Sequence, residues 1–324
     1  MEQSFSRLDT KRVSIENRRG RRGKVCIIAA IPAYNEEYTI GKIVLLSQRY
    51  VDKVLVCDDG SQDLTGEIAE RLGAIVIRHE KNMGKGAALR SLFKKALELG
   101  ADIVVTLDAD NQHDPNDIPK LVEPILKGEV DIVNGSRFLG DFNDEIPLHR
   151  KIGNKVLSRL TNTAGSINIT DTQSGFRAYS RKALERIEIS TNGIGVDTEI
   201  ILKAKGLRTK EVPITCRYRG IRVKRNPFKH GFEVLATIIN YVAEKRPLLI
   251  VGVPGFIVFT GGLFMLVYVI YKYFQVRHLG LGTMLLAITS IITGMFAMFT
   301  ALILYTITKR RRDKNTMLRI IRFG

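Results

Sequence analysis

The stretch Val104-Val105-Thr106-Leu107-Asp108-Ala109-Asp110-Asn111-Gln112-His113 decides how this chain reads. An apolar run ends there in two acids separated by one residue. A buried strand that stops on Asp-x-Asp places carboxylates at its carboxyl end, the edge at which open α/β sheets bind ligands. Hard oxygen ligands at that spacing suit a divalent cation that itself grips phosphate oxygens. Asp and Asn are also turn residues, so the motif alone is equally a solvated turn, and its surroundings must decide.

On both sides of it, apolar strand-like runs alternate with helix-spaced segments. Val25 to Ile31 is a run stopped by Pro32, followed by a helical spacing through Ile40, Ile43, Val44 and Ser47. Val51 to Cys57 ends in Asp58-Asp59-Gly60-Ser61, ahead of a helix from Leu64 to Leu72. Ala74 to Arg78 precedes Asn82-Met83-Gly84-Lys85-Gly86, which opens a helix reaching Leu99. Ile103 to Leu107 delivers Asp108, a helix spans Ile118 to Leu126, and Val130 to Asn134 leads into Gly135-Ser136-Arg137. This alternation predicts an α/β fold with a doubly wound, mostly parallel sheet and right-handed crossovers. Four loops then converge at the strand ends: 32–37, 58–61, 82–86 and 108–112. Acids in the first two suit base and ribose groups. Gly84 and Gly86 allow close backbone approach at a helix amino end, with Lys85 available to an anion. The absence of GxxxxGK[ST], and of GxGxxG after the first strand, excludes a P-loop NTPase and a dinucleotide dehydrogenase.

The chain has 324 residues and a formal charge of +17, enough length for one large α/β domain and something more. Its basic residues adjoin apolar segments and no nucleic-acid module is recognisable, so a membrane surface or a phosphorylated substrate is favoured over nucleic acid. Cys26, Cys57 and Cys216 are widely spaced and read as reduced core thiols. Residues 1–24 carry eight arginines and lysines without an apolar run behind them, so they are not a secretory signal. They form either an arm on anionic headgroups or plain disorder. From His149 to Ala164 the pattern is amphipathic: Ile152, Val156 and Leu160 share one stripe while Lys151, Lys155 and Arg159 recur every four residues. It is either a helix packed on the sheet or, preferred here, one lying at a membrane interface. Phe228 to Ala243 is a second such stretch. Pro247 to Tyr271 and Gly282 to Thr306 each lack charge and are long enough to span a bilayer. Lys245-Arg246 before them and Lys309-Arg310-Arg311-Arg312 after them place both ends, and the large domain, in the cytosol. No ionisable residue lies within either span, so they read as an anchor. The organisation expected is an arm (1–24), a cytosolic catalytic domain (25–227), an interface helix (228–246), a two-span hairpin (247–308) and a basic cytosolic tail (309–324).

The motifs IPAYNEE, DDGS, NMGKGAAL, DADNQHDP, GSR and DTQSGFRAY, in this order, resemble the family 2 glycosyltransferases of GT-A fold, and within them the dolichyl-phosphate (polyprenyl-phosphate) mannose and glucose synthases. The similarity covers roughly residues 25–245. It implies that Pro32, Tyr34, Glu36 and Asp59 hold the nucleotide, joined in the sugar-nucleotide set by Lys85 and Ala109. It places Asp108, Asp110 and Gln112 at an Mg2+ or Mn2+ ion and the diphosphate. Arg137, Arg150, Arg219 and Arg225 gather in it around the donor and acceptor phosphates, Arg225 standing where relatives often carry lysine. The implied catalytic set is Asp110, Arg137 and Arg219; the acceptor phosphate falls to Arg137, Arg150 and Arg222. GDP-mannose and UDP-glucose are the implied donors, and self-association through the spans stays open.

The chemistry can be read without the name. A departing nucleoside diphosphate develops charge that a divalent cation and arginines stabilise. A lipid phosphate acceptor is already ionised near neutral pH, its second pKa being about 6 by analogy with phosphorylated side chains. It needs no catalytic base, which fits the basic run Arg219, Arg222, Lys224 and Arg225. Direct attack inverts the anomeric centre. Four rivals are weighed, the weakest being a basic membrane scaffold protein with no small ligand. A transferase acting on a lipid-linked glycan hydroxyl needs a base, which Asp197 or Glu199 could supply, Glu199 being equally a structural salt-bridge partner. A processive polysaccharide synthase would carry Gln-x-x-Arg-Trp, and this sequence has no tryptophan. A catalytically inactive nucleotide- or lipid-binding membrane protein would not need intact metal-site acids.

Overall fold

The computed structural model describes residues 25–139, 148–165, 167–216, 227–245, 247–276 and 280–323. Two compact units divide the chain, one of Met1–Ser158 with Asn168–Lys224, the other of Arg159–Ile167 with Arg225–Gly324. In the first, strands β1 (Ile27–Ala33), β2 (Lys53–Asp58), β3 (Ile75–Arg78), β4 (Ile103–Thr106), β5 (Ile132–Ser136), β6 (Arg177–Ser180) and β7 (Thr209–Pro213) form one sheet. Its order is β3-β2-β1-β4-β6-β5-β7. The helices of this unit are α1 (Glu37–Ser47), α2 (Thr65–Arg71), α3 (Lys85–Glu98), α4 (Ile118–Leu126), most of α5 (Leu148–Gly165), α6 (Arg181–Arg186) and α7 (Val196–Lys203).

Both faces of the sheet are covered, which is why its strands read as unbroken apolar runs. Neighbouring strand residues point to opposite faces. Val105, Ile31 and Val56 therefore pack with Ile40, Ile43 and Val44 of α1 and Leu121 of α4. Val104, Ile28 and Leu55 pack on the other face with Leu89, Leu92 and Phe93 of α3 and Ile200 of α7.

Two features differ from the sequence reading. β1 does not stop at Pro32 but continues to Ala33, with Pro32 opposite Cys57. Pro32 has the parity of Ala30, whose carbonyl accepts from Leu107 on the β4 side. Pairing with β4 ends at Ala30 opposite Thr106, so the missing N–H interrupts no ladder. The second is β6, antiparallel to both β4 and β5, with Ala178 opposite Val105 and Val133. Its four residues include a fully buried arginine, so no alternating apolar pattern announced it. Arg177 is tolerated there because Nε donates to Asn134 Oδ1 (2.7 Å) and the two Nη atoms donate to the carbonyls of Asp197 and Thr172 (2.9 Å each).

α5 does not turn its apolar stripe inward: Val156 and Leu160 are exposed, while Ser158 and Thr161 are buried. Ser158 Oγ lies 3.1 Å from Thr172 Oγ1. The side chain of Ile152 lies outside the described residues.

The second unit comprises α8 (Pro227–Lys245), a π-helical turn (Leu248–Gly252), α9 (Val253–Val276) and α10 (Leu281–Phe323). α8 buries Val234, Ile238 and Tyr241 and exposes Phe232, Leu235 and Ile239. Leu248–Gln275 and Leu281–Thr308 are long and apolar enough to cross a membrane. α9 outruns its expected end, so Lys272 is helical, with its ammonium 6.0 Å from the Tyr268 ring. α10 continues as one helix of 43 residues through the basic segment.

The two long helices meet backbone to backbone. A Cβ on Gly294 would lie 2.5 Å from the amide nitrogen of Phe259 and 2.6 Å from the carbonyl oxygen of Gly255. In an apolar setting such close packing of small residues is the main source of helix association. Gly294→Leu is expected to destabilise the hairpin by about 2 kcal/mol, read as a lower SDS mole fraction for unfolding in mixed micelles; an unchanged midpoint would refute the contact.

Candidate active site

The loops at the carboxyl edge are fastened to one another before any ligand is considered. Asn35 and Asn111 adopt left-handed backbone conformations (φ 53° and 58°) that asparagine tolerates better than most residues. Asn35 N donates to Ser61 Oγ (3.0 Å), Glu36 N to Thr65 Oγ1 (2.8 Å) and Gln62 N to Asn35 Oδ1 (2.9 Å). Pro32 and Glu36 are half-buried at this edge and Tyr34 is exposed.

Asp59 is buried and turned inward. Its carboxylate accepts from the amides of Met83 (3.0 Å) and Gly84 (2.7 Å) and pairs with His79 Nδ1 (2.6 Å), whose Nε2 lies 2.9 Å from Ser91 Oγ. Asp59 thus supports the 82–86 turn. The glycines of that turn also answer to the chain itself. Gly86 N donates to Asn192 O (2.7 Å), and a Cβ at Gly86 would collide with the Thr191 carbonyl. Close backbone approach is needed here, as expected, but its partner is the 191–192 loop.

Lys85, the first residue of α3, reaches two carboxylates: Nζ is 2.8 Å from Asp108 Oδ1 and 2.8 Å from Asp197 Oδ2. Burial works against its charge, but Asp108 and Asp197 prevail and push its pKa up. Asp110 accepts from Gln112 Nε2 (2.5 Å) and Gln112 N (3.1 Å). The Gln112 amide as placed steadies Asp110. Burial, then the Asp108 charge, pushes the Asp110 pKa up, with Glu36 adding to the effect. Ala109 between the acids is buried, and burial pushes the neighbouring His113 imidazole toward its neutral form.

The described residues contain no cluster of three or more His, Cys, Asp or Glu side chains able to hold a metal. Two carboxylates that repel each other at the end of β4 still fit a hard divalent cation that takes its other ligands from substrate phosphates and water.

Arg137 follows β5 and, like Asp108 and Asp110, acts electrostatically on the His113 imidazole. Nε donates to Asp171 Oδ2 (2.7 Å) and Nη2 to Oδ1 (2.8 Å), a fork-to-fork pair reinforced by Arg137 N (3.1 Å). Asp171 is fully buried; burial would raise its pKa, but Arg137 above all holds it low. Glu199 is a support: it accepts from the amides of Ser190 and Thr191 (2.8 Å each), from Ser190 Oγ, and from Lys203 Nζ (2.7 Å). Burial would raise its pKa, but these donors bring it down to about 2. The side chain of Arg150 and all of Arg219, Arg222, Lys224 and Arg225 lie outside the described residues.

With this geometry in place, the comparisons are decisive. A family model described as glycosyl transferase family 2 matches residues 28–188. The chain is 39% identical over 216 residues to the UDP-N-acetylglucosamine--dolichyl-phosphate N-acetylglucosaminyltransferase of Methanococcus voltae, covering 59% of this chain and 86% of that protein. The chain belongs to glycosyltransferase family 2. It is also 33% identical over 265 residues to the dolichol-phosphate mannosyltransferase of Pyrococcus furiosus, covering 75% of this chain and 72% of that one. Among solved structures, it is similar to glucosyl-3-phosphoglycerate synthase from Mycobacterium tuberculosis in complex with Mn2+, UDP and glucosyl-3-phosphoglycerate. The TM-score is 0.54 at 26% identity, covering 67% of this chain and 80% of that one. The same synthase is also known with Mg2+ and UDP. This family 2 glycosyltransferase has the GT-A arrangement of a mostly parallel sheet, followed by two long apolar helices.

Sequence reasoning missed His79, and it missed Asp171 as the anchor of Arg137. Asp171 stood inside a motif that was recognised, so a signal existed; His79 follows a strand end without any pattern to mark it.

Two expectations follow. Because the folded-state pKa of Glu199 is depressed, its contribution to stability is present above the unfolded value and is lost as pH falls toward 2. Glu199→Gln should therefore cost on the order of 2 kcal/mol at pH 7. That difference from wild type should shrink steadily below pH 4.5 in denaturant titrations; a pH-independent difference would remove the charge from the explanation. Asp171→Asn should loosen Arg137 and cut turnover about ten-fold or more while changing nucleotide affinity less, and equal losses in steady-state kinetics would contradict a positioning role.

Proposed function

We propose that this glycosyltransferase moves a hexose from a sugar nucleotide, GDP-mannose or UDP-glucose, to a polyprenyl (dolichyl) phosphate at a membrane, with inversion. The observation that carries the reading is the state of the spare acids. Asp197 is tied to Lys85, and Glu199 to the 190–191 loop and Lys203. These are the two carboxylates a hydroxyl acceptor would need as base. An acceptor that arrives ionised needs neither, and a lipid phosphate is such an acceptor. The names of the archaeal relatives support the same acceptor class, and that of the methanococcal one adds UDP-N-acetylglucosamine to the donors worth testing.

In this reading Asp108 and Asp110 hold Mg2+ or Mn2+, and the ion supplies charge neutralisation at the diphosphate. Gln112 steadies Asp110, Tyr34 and Glu36 lie toward the nucleotide, and Asp59 holds the 82–86 turn in shape. Arg137, fixed by Asp171, stabilises the negative charge that develops as the bond from the anomeric carbon to the diphosphate breaks. A phosphate oxygen of the acceptor forms the new bond on the opposite face, and the nucleoside diphosphate departs. No proton has to be removed from the acceptor. Arg150, Arg219, Arg222 and Arg225 are proposed for the phosphates on the strength of the family resemblance alone.

The membrane reading rests on the two apolar helices and on the exposed Val156 and Leu160 of α5. The flanking basic residues support a cytosolic catalytic domain.

The deciding experiment is transfer in detergent from a panel of radiolabelled sugar nucleotides to a short polyprenyl phosphate, with Mn2+ or Mg2+, counting label in the organic phase. One donor is expected to label the lipid; bound donor without labelled lipid would point to a glycan acceptor or a binding protein. Asp110→Ala should reduce transfer by about 100-fold or more with the fold kept, and Arg137→Ala should reduce kcat more than nucleotide affinity.

A further inference from the structure

Lys85 stands where a metal-assisted donor site needs positive charge, and it is itself a cation. Its side chain is 11% exposed and bridges Asp108 at the end of β4 to Asp197 at the start of α7. The space around the bridge is closed: a Cβ on Gly175 would lie 2.6 Å from Asp108 Oδ2 and 2.8 Å from Lys85 Nζ. We propose that Lys85 is an exchangeable counter-ion for Asp108. It neutralises this carboxylate in the ligand-free domain and releases it when a nucleoside diphosphate arrives to take the ammonium, so that the divalent cation and the nucleotide bind as an interdependent pair.

A divalent cation and an ammonium cannot share Asp108 without repulsion over a few ångströms of poorly screened space. The metal alone therefore binds against Lys85. Diphosphate oxygens reverse this, because they offer the ammonium a second partner while Asp197 keeps hold of it. Asp197 suits the part of a pivot: it is buried, lies in the first turn of α7 and holds Lys85 Nζ at 2.8 Å. Asp110 is met by the neutral amide of Gln112, so a place for further positive charge persists beside Asp108. By linkage, the nucleotide must tighten the metal by the same factor as the metal tightens the nucleotide.

This inference rests on the metal-assisted reading above, and the test separates the two. Mn2+ binding to the full-length protein in detergent is measured by electron paramagnetic resonance. It is read alone and with UDP or GDP, corrected for Mn2+ held by the nucleotide in solution. In wild type, the accepted nucleotide should tighten Mn2+ about ten-fold or more. Lys85→Met should bind Mn2+ alone about ten-fold more tightly than wild type, with the coupling to nucleotide largely gone. Lys85→Arg should keep both the weak binding and the coupling. Asp197→Asn leaves Lys85 wholly to Asp108 and should weaken Mn2+ alone, a change opposite in sign that a merely structural role would not produce. Unchanged or weaker Mn2+ binding in a Lys85→Met protein that melts like wild type overturns the counter-ion. Should that variant not fold, unchanged binding in Asp197→Asn overturns it instead. Wild-type protein that binds no Mn2+ with either nucleotide overturns the metal reading and this inference together.

Discussion

Carboxylates crowded at one edge of a sheet are the constraint on which this domain depends. Asp58, Asp59, Asp108, Asp110, Asp197 and Glu36 gather near the ends of β1, β2 and β4, and like charges in so little water repel strongly. Five of these acids are met by a nearby donor or cation. Asp58 accepts from the amide of Ser61 (3.0 Å), Asp59 from the 83–84 amides and His79, and Asp110 from Gln112. Asp108 and Asp197 share Lys85. The amides of the 82–86 turn and the histidine of this edge answer that electrostatic demand. A carboxylate cluster balanced in this way is prepared for one more cation and for a phosphate to accompany it.

The basic half of the site is assembled by the other end of the sheet. β6 runs antiparallel and brings the Asp171–Arg177 segment between β4 and β5, so that Asp171 meets Arg137 and Arg177 fills the interior behind it. Asp108 follows β4 and Arg137 follows β5, strands that β6 separates, each within two residues of its strand end. Function rests here on backbone pairing as much as on side-chain chemistry.

The sequence made much of this legible. The strands β1 to β5 and helices α1 to α4 followed from apolar runs and periodicity, and Asp-x-Asp at the end of β4 was found from residue type and place. The side-chain pairings escaped it because partners far apart in the chain leave no spacing to read. Lys85 and Asp197 are separated by 112 residues, and Asp59 and His79 by 20. β6 escaped because its register is held by a buried arginine rather than by apolar alternation. Pro32 misled because a proline costs nothing on the side of a strand where the neighbour has already ended.

The antiparallel strand also sets the order in which the protein can be built. β1 to β4 pair in series and can do so as soon as the chain reaches Thr106, whereas β5 has no seat until β6 exists, since β6 lies between it and β4. A nascent chain that has passed Ser136 but not Ser180 carries a half-sheet with an open β4 edge, the kind of edge that invites wrong pairing. Arg137 thus emerges early and is placed late. Until the Asp171 segment arrives the acidic half stands alone, and only a chain that has closed its sheet owns a complete site.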